Sequence, residues 1–173
     1  MNVTLRSATQ TDATGIADIL LASRAAFLPY APSPHPEHSV RAWVRDVLLP
    51  LEDVTVASVA DQVVGVMAMH RADEITWITQ LYLHPSFVAR GIGSRLLARA
   101  LATAPRPIRL YTFQENSGAR RFYERNGFSP VQFTDGGTNE ERCPDVLYEL
   151  TPQANVVSPV PRQTRPKTVA ARP

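Results

Sequence analysis

The chain has 173 residues, a formal net charge of +2 and a single cysteine. That length suits one domain with its own core, and 44% hydrophobic with 20% charged residues excludes wholesale disorder, a collagen repeat or a coiled coil. No apolar run approaches the roughly 18 residues of a membrane span, and the opening MNVTLRSATQTD lacks a basic flank before an apolar stretch, so a cytoplasmic protein without signal peptide is expected.

Val3 to Ala8 alternates as a half-buried strand does, and Thr9 to Asp12 offers a cap with an acid three residues on. A helix follows with Ile16, Ile19, Leu20, Ser23 and Phe27 on one face, ending at Pro29. Tyr30 to Pro36 holds three prolines and reads as irregular. A second amphipathic helix carries Val40, Trp43, Val44, Val47 and Leu48 and is expected to stop at Pro50. Val54 to Ala60 and Val63 to Ala72 are β-branched runs on either side of an Asp61-Gln62 turn, and Asp73-Glu74 leads into a third strand, Ile75 to Leu83. Gly91 to Thr103 is helical, with Ile92, Leu96, Leu97, Ala100 and Leu101 inward. After Pro105 and Pro107 come a strand from Ile108 to Phe113, a helix from Asn116 to Asn126 capped by Gly127, and strands Phe128 to Thr134 and Pro144 to Leu150. The fold class is α+β, a mostly antiparallel sheet with helices on both faces.

Residues 1–150 form the predicted domain and carry net −2; residues 151–173 carry +4, five prolines and no aromatic residue, and read as a disordered basic tail. The folded part is therefore not a basic nucleic-acid surface. Cys143 has no disulfide partner, and the four scattered histidines form no cluster with it, so no metal site is expected.

The sharpest chemical signal is Gln80-Leu81-Tyr82-Leu83-His84-Pro85, five residues, then Arg90-Gly91-Ile92-Gly93-Ser94-Arg95. A strand runs into a glycine-flanked helix start, where unpaired N–H groups and the helix dipole favour a phosphate or pyrophosphate. A P-loop would need Gly-Lys-Ser/Thr here, and a dinucleotide fingerprint would need a small residue at Leu96; neither is present. The segment is followed by a strand and then by Asn116-Ser117-Gly118-Ala119-Arg120-Arg121-Phe122-Tyr123-Glu124-Arg125-Asn126-Gly127-Phe128.

With these two elements in place, residues 3–150 resemble the GNAT superfamily of acetyl-CoA-dependent N-acetyltransferases. That superfamily has a pyrophosphate loop of the form Arg/Gln-x-x-Gly-x-Gly/Ala and a later Phe-Tyr-x-x-x-Gly-Phe ending; Val88 stands here in the loop's first position. The resemblance implies central strands that splay after Leu83, with the pantetheine arm against the backbone of Leu81, Tyr82 and Leu83. It implies a pyrophosphate held by amides of Ala89, Arg90, Gly91, Ile92, Gly93 and Ser94, Asn116 and Ala119 beside the arm, and Tyr123 as general acid near the sulfur. Asn116 equally suits an N-cap, Tyr123 a core position, and Arg95 and Arg99 a solvated face.

Acetylating a primary ammonium requires removing a proton, holding the amine against the thioester and protonating the leaving thiolate. The strand Ile75 to Leu81 carries no carboxylate, so Glu74 just before it and His84 just after it are the candidate bases. The early helices, the proline-rich loop and the last hairpin should enclose the acceptor, with Tyr30, His35, His38, Trp43, Asn139, Glu140 and Glu141 giving a mildly acidic pocket for an amine. The expected partners are acetyl-CoA and an amine, in a small molecule or a peptide, and a homodimer through the last strands is expected from the resemblance. The alternatives are an acyl-CoA-binding regulator without activity and a nucleic-acid-binding protein working through its basic tail, residues 151–173.

Overall fold

The computed structural model describes residues 2–151, so the expected tail lies outside the described residues apart from Thr151. A single seven-stranded sheet has the order β1-β2-β3-β4-β5-β7-β6. The strands are β1 (Thr4–Ser7), β2 (Asp53–Val59), β3 (Gln62–Ala72), β4 (Ile75–Leu83), β5 (Ile108–Phe113), β6 (Ser129–Phe133) and β7 (Asp145–Leu150). All neighbours are antiparallel except β4 and β5. The helices are α1 (Ala13–Phe27), α2 (Glu37–Trp43), a short α3 (Leu49–Leu51), α4 (Ile92–Thr103) and α5 (Ser117–Arg125). Among the described residues no helix is long and apolar enough to cross a membrane.

Strand alternation sends side chains to two cores. Val54, Val56, Val66 and Ala68 meet Ile16, Ile19 and Leu20 of α1 on one face, while Ala57, Val64, Met67 and Ile78 meet Ile92, Leu96 and Leu97 of α4 on the other. The sheet is thus covered on both sides, and its parallel pair lies in the middle.

Three local differences from the sequence reading have physical causes. The β2–β3 turn is Ala60-Asp61, one residue earlier than expected, and both residues have positive φ (47° and 65°), the geometry of a type I′ hairpin made without glycine. Helix α2 does not stop at Pro50. It passes through a π turn (Val44–Leu48) into α3, with Leu49 N–H donating to Val44 O. The wider turn accommodates a proline that lacks an N–H and would clash with the carbonyl four residues back. Finally, β4 and β5 share only two pairs, Thr76↔Ile108 and Trp77↔Arg109, so the splay begins after Trp77 and not after Leu83.

The start of α1 is fixed by charge. Asp12 is buried; its carboxylate accepts from Arg6 Nη1 and Nη2 at 2.8 and 2.7 Å and from Thr9 N at 2.8 Å. These bonds, Arg6 first, lower its pKa to about 2. A depressed carboxyl pKa stabilises the fold above the ordinary carboxylate range, and that contribution disappears as pH falls through the folded value. Asp12→Asn should cost about 1–2 kcal/mol near neutral pH, allowing for the half-exposed Arg6. Urea denaturation should show the difference vanishing as the pH approaches about 2.

Candidate active site

Beyond Trp77, β4 has β3 on one side and an open cleft on the other, so half of the backbone groups from Ile78 to Leu83 face the cleft instead of a neighbouring strand. A bulge reinforces the divergence: Ala68 pairs with Gln80 and Met69 with Ile78, leaving Thr79 as the extra residue. The cleft encloses about 770 Å³ between β4, the start of α4, α5 and the end of α1.

At the mouth of the cleft stands the glycine-bounded start of α4. Gly91 caps α4 with φ +77°, Ala89 also has positive φ (58°), and no atom lies within 4 Å of where a Gly91 Cβ would stand. The amides of Ile92, Gly93 and Ser94 occupy the first helical turn, where no preceding carbonyl is available to them. The first turn holds no acid. Of the expected cofactor contacts, Leu81, Tyr82, Leu83, Ala89, Gly91, Gly93, Ser94, Asn116, Ala119 and Tyr123 all line the cleft. The Ile92 side chain is wholly buried in the core, so its expected contact is through the backbone amide, and the Arg90 guanidinium lies over the Phe87 ring at 5.4 Å.

Asn116 caps α5 by accepting from Ala119 N at 3.0 Å through Oδ1, which leaves its amide NH₂ as the group it can offer the cleft. Tyr148 of β7 donates to Glu124 at 2.6 Å and so ties α5 to the sheet. That anchor fixes Tyr123, which is 7% exposed with Phe122, Phe128 and Tyr148 around its ring. Burial pushes its phenol well above the ordinary tyrosine range, and the neighbouring Tyr82 adds to the shift. Tyr82 is raised too, by burial, with Arg24 opposing.

On the α1 side a second cavity of about 790 Å³ opens, walled by Leu20, Leu21, Ala25, Leu28, Val40 and Trp43 and reaching Gln80. Both carboxylates of the expected mildly acidic pocket line this chamber. Glu141 accepts from Arg24 at 2.8 Å, and Glu140 lies 2.7 Å from His35 Nε2 in solvent, so both carboxylates are engaged at the rim of an apolar chamber. Between the two cavities, Arg24 Nε and the Tyr30 hydroxyl are buried without hydrogen-bond partners, polar atoms poised for something the protein itself does not supply. His38 and Asn139 are not among the residues lining either cavity; Asn139 is spent within the β6–β7 connection, donating to Cys143 O and Asp145.

Residues 20–128 match the acetyltransferase (GNAT) family. The chain belongs to that family. A 67-residue stretch is 34% identical to an uncharacterized N-acetyltransferase of Methanocaldococcus jannaschii, a match covering 36% of this chain and 30% of that protein. Among solved structures, the PaiA N-acetyltransferase of Thermoplasma acidophilum in complex with coenzyme A superposes with a TM-score of 0.70 at 20% identity, covering 87% of this chain and 99% of that one. YncA of Salmonella typhimurium, a putative acetyltransferase with acetyl-CoA, gives 0.67 at 20% identity over 87% and 94%.

Within this GNAT fold, the two candidate bases fall outside the cleft. Glu74 has φ +64° in the β3–β4 turn, its side chain is 92% exposed and it pairs with Arg71 at 2.8 Å. It sits at the closed end of β4, whereas the cleft opens towards Leu83. His84 Nδ1 accepts from Ser86 N at 3.3 Å, serving as cap of the short turn Pro85–Phe87. A carboxylate the sequence reading passed over meets the bulge: Glu52, at the corner between α3 and β2, lines neither cavity itself but accepts from the Thr79 hydroxyl, next to the chamber-lining Gln80. Nothing local marks it in the sequence; only the β2-β3-β4 order brings residues 52 and 79 together.

The raised phenols give a spectroscopic expectation. In an ultraviolet titration, the tyrosinate absorbance that develops through the ordinary phenol range should be the same in wild type and Tyr123→Phe, because burial holds Tyr123 protonated above that range.

Proposed function

We propose that the protein transfers acetyl from acetyl-CoA to the primary amine of a small molecule, with Tyr123 as general acid. The observation that carries this is the position of Tyr123, a buried phenol kept protonated by its surroundings, in the cleft bounded by the open edge of β4 and the free amides of α4. Acetyl-CoA is a cosubstrate on this reading, and its chemical contribution is an activated thioester. The cradle at Gly91, Gly93 and Ser94 fits a pyrophosphate, and the unpaired edge of Leu81 to Leu83 fits an extended amide-bearing arm as an added strand.

Tyr123, protonated throughout the working range, supplies the proton for the departing sulfur. Direct attack by the amine needs positioning but no covalent enzyme intermediate. The chamber beside Gln80 is of the size that encloses small molecules and has mostly apolar walls, which favours an amine with an apolar body over an extended peptide or a polycation. A cytoplasmic homodimer fits the reading, the exposed Val131 and Phe133 of β6 offering the apolar contact.

Tyr123→Phe should lower kcat about 10²-fold or more while changing the KM for acetyl-CoA little, in a thiol-release assay against pooled primary amines. A wild-type rate in that variant would remove Tyr123 from the chemistry. Ser94→Asp separates folding from ligand binding. An acid in the first turn favours the helix dipole, so Tm should hold or rise, while calorimetry should show coenzyme A binding weakened about tenfold or more through repulsion of the pyrophosphate.

A further inference from the structure

Glu52 has surroundings that stability does not explain. Its side chain is 15% exposed, yet its only cation-capable neighbour at ion-pair distance among the described residues is His70, whose Nδ1 lies 3.8 Å from Oε1. The other enclosed carboxylates are treated differently. Asp12, Glu141 and Glu149 face Arg6, Arg24 and Arg109 at 2.7, 2.8 and 2.5 Å. Asp145 has no arginine, but side chains of its own hairpin, Thr134 and Asn139, hold both of its oxygens. Withdrawing a carboxylate from water without a matching cation costs stability.

Its placement follows from register and alternation. Ala68 faces the α1 core, so His70, two residues on, takes the same side of the sheet; Val54 and Val56 place Glu52 there too. Trp77, opposite His70 in the β3–β4 register, is the last β4 residue paired with β5, and Tyr111 stacks on its ring at 6.0 Å and 6°. The Thr79 hydroxyl donates to Oε2 of Glu52, and the next residue, Gln80, lines the acceptor chamber. Oε2 is therefore tethered at the point where β4 leaves β5. Oε1 faces His70 at 3.8 Å, too long for a direct hydrogen bond.

We infer that Glu52, oriented by Thr79, is the proton acceptor for the attacking amine, acting through an intervening water molecule. The inference rests on the acetyl-transfer reading and supplies the base which the strand Ile75 to Leu81 lacks. The acceptor's ammonium gives one proton to the water, which passes one to Glu52. The freed nitrogen pair forms the N–C bond at the thioester carbon. The C–S bond then breaks, its electron pair stays on sulfur, and sulfur takes the Tyr123 proton. The second proton shed by nitrogen restores the Tyr123 phenol. The products are an amide, a thiol and one proton on Glu52, which leaves to solvent past His70, 41% exposed. The acid and the base thus approach from opposite faces of the sheet. Of the other charged groups nearby, Arg109 is held by Glu149, Arg45 by Asp46, and Asp53 takes the opposite side of β2 by alternation.

The test compares wild type with Glu52→Gln, which keeps the side-chain shape and an oxygen for Thr79 but cannot take a proton. With acetyl-CoA and the fastest amine of a primary-amine panel, kcat should fall about 10²-fold near pH 7, with unchanged calorimetric affinity for coenzyme A. The deficit should shrink steadily as pH approaches about 10, where the amine arrives as free base. A purely structural role would leave the deficit independent of pH. Thr79→Val gives a second reading, with a loss of about tenfold in kcat that is relieved in the same alkaline range. Wild-type turnover by Glu52→Gln, or a deficit constant with pH, overturns the inference alone. Wild-type protein that binds no coenzyme A, or releases no thiol with any amine of the panel, overturns the acetyl-transfer reading and the inference with it.

Discussion

Two residue pairs hold β4 to β5, and the architecture around them depends on the strands parting there. Parallel strands in the middle of a sheet normally satisfy each other's backbone along their whole length. Here the ladder stops at Trp77 and Arg109, and the bulge at Thr79 turns β4 away. The exposed edge can only be stable if something else meets it: solvent, or an extended ligand able to exchange hydrogen bonds as a strand would. The remaining sheet tolerates the opening because β5 is fully paired with β7 and β4 with β3, so the divergence is held by rigid ladders on both sides.

The two cores divide the labour. The core containing Ile92, Leu96 and Tyr123 sets the start of α4 and the inward face of α5, and with them the anion cradle and the phenol. The core containing Ile16, Leu20, Val44 and Leu48 sets α1 and α2, which wall the chamber at Gln80. The cleft and the chamber meet near Tyr82, where Arg24 and Tyr30 keep buried polar atoms without partners. Leu28 lines both cavities, so the two share a wall there.

Much of this was legible from residue order. Prolines 29, 85, 105 and 107 and Gly127 punctuate the elements, and the β-branched runs alternate cleanly, so the α+β succession and the glycine-bounded helix start could be read directly. The Phe-Tyr-x-x-x-Gly-Phe ending pointed to Tyr123 because its meaning is local to one helix. What escaped depends on pairing between distant segments. The point of splay requires knowing that Thr76 sits opposite Ile108, and no periodicity reveals a register across thirty-odd residues. The glycine-free turn at Ala60-Asp61 was displaced by one position because its usual residues are missing. Glu74 and His84 drew attention by adjacency along the chain, whereas Glu52 is adjacent only across the sheet.

The π turn at Val44–Leu48 bears on how such a site could drift over evolutionary time. It amounts to one surplus residue in an otherwise regular helix, absorbed ahead of Pro50. Deletion of a single codon there would restore ordinary pitch while swinging everything downstream by about 100° about the helical axis. The corner carrying Glu52 would then point away from Thr79, uncoupling the two. A one-codon change ahead of Pro50 is thus a route by which this scaffold can relocate a carboxylate while keeping its fold.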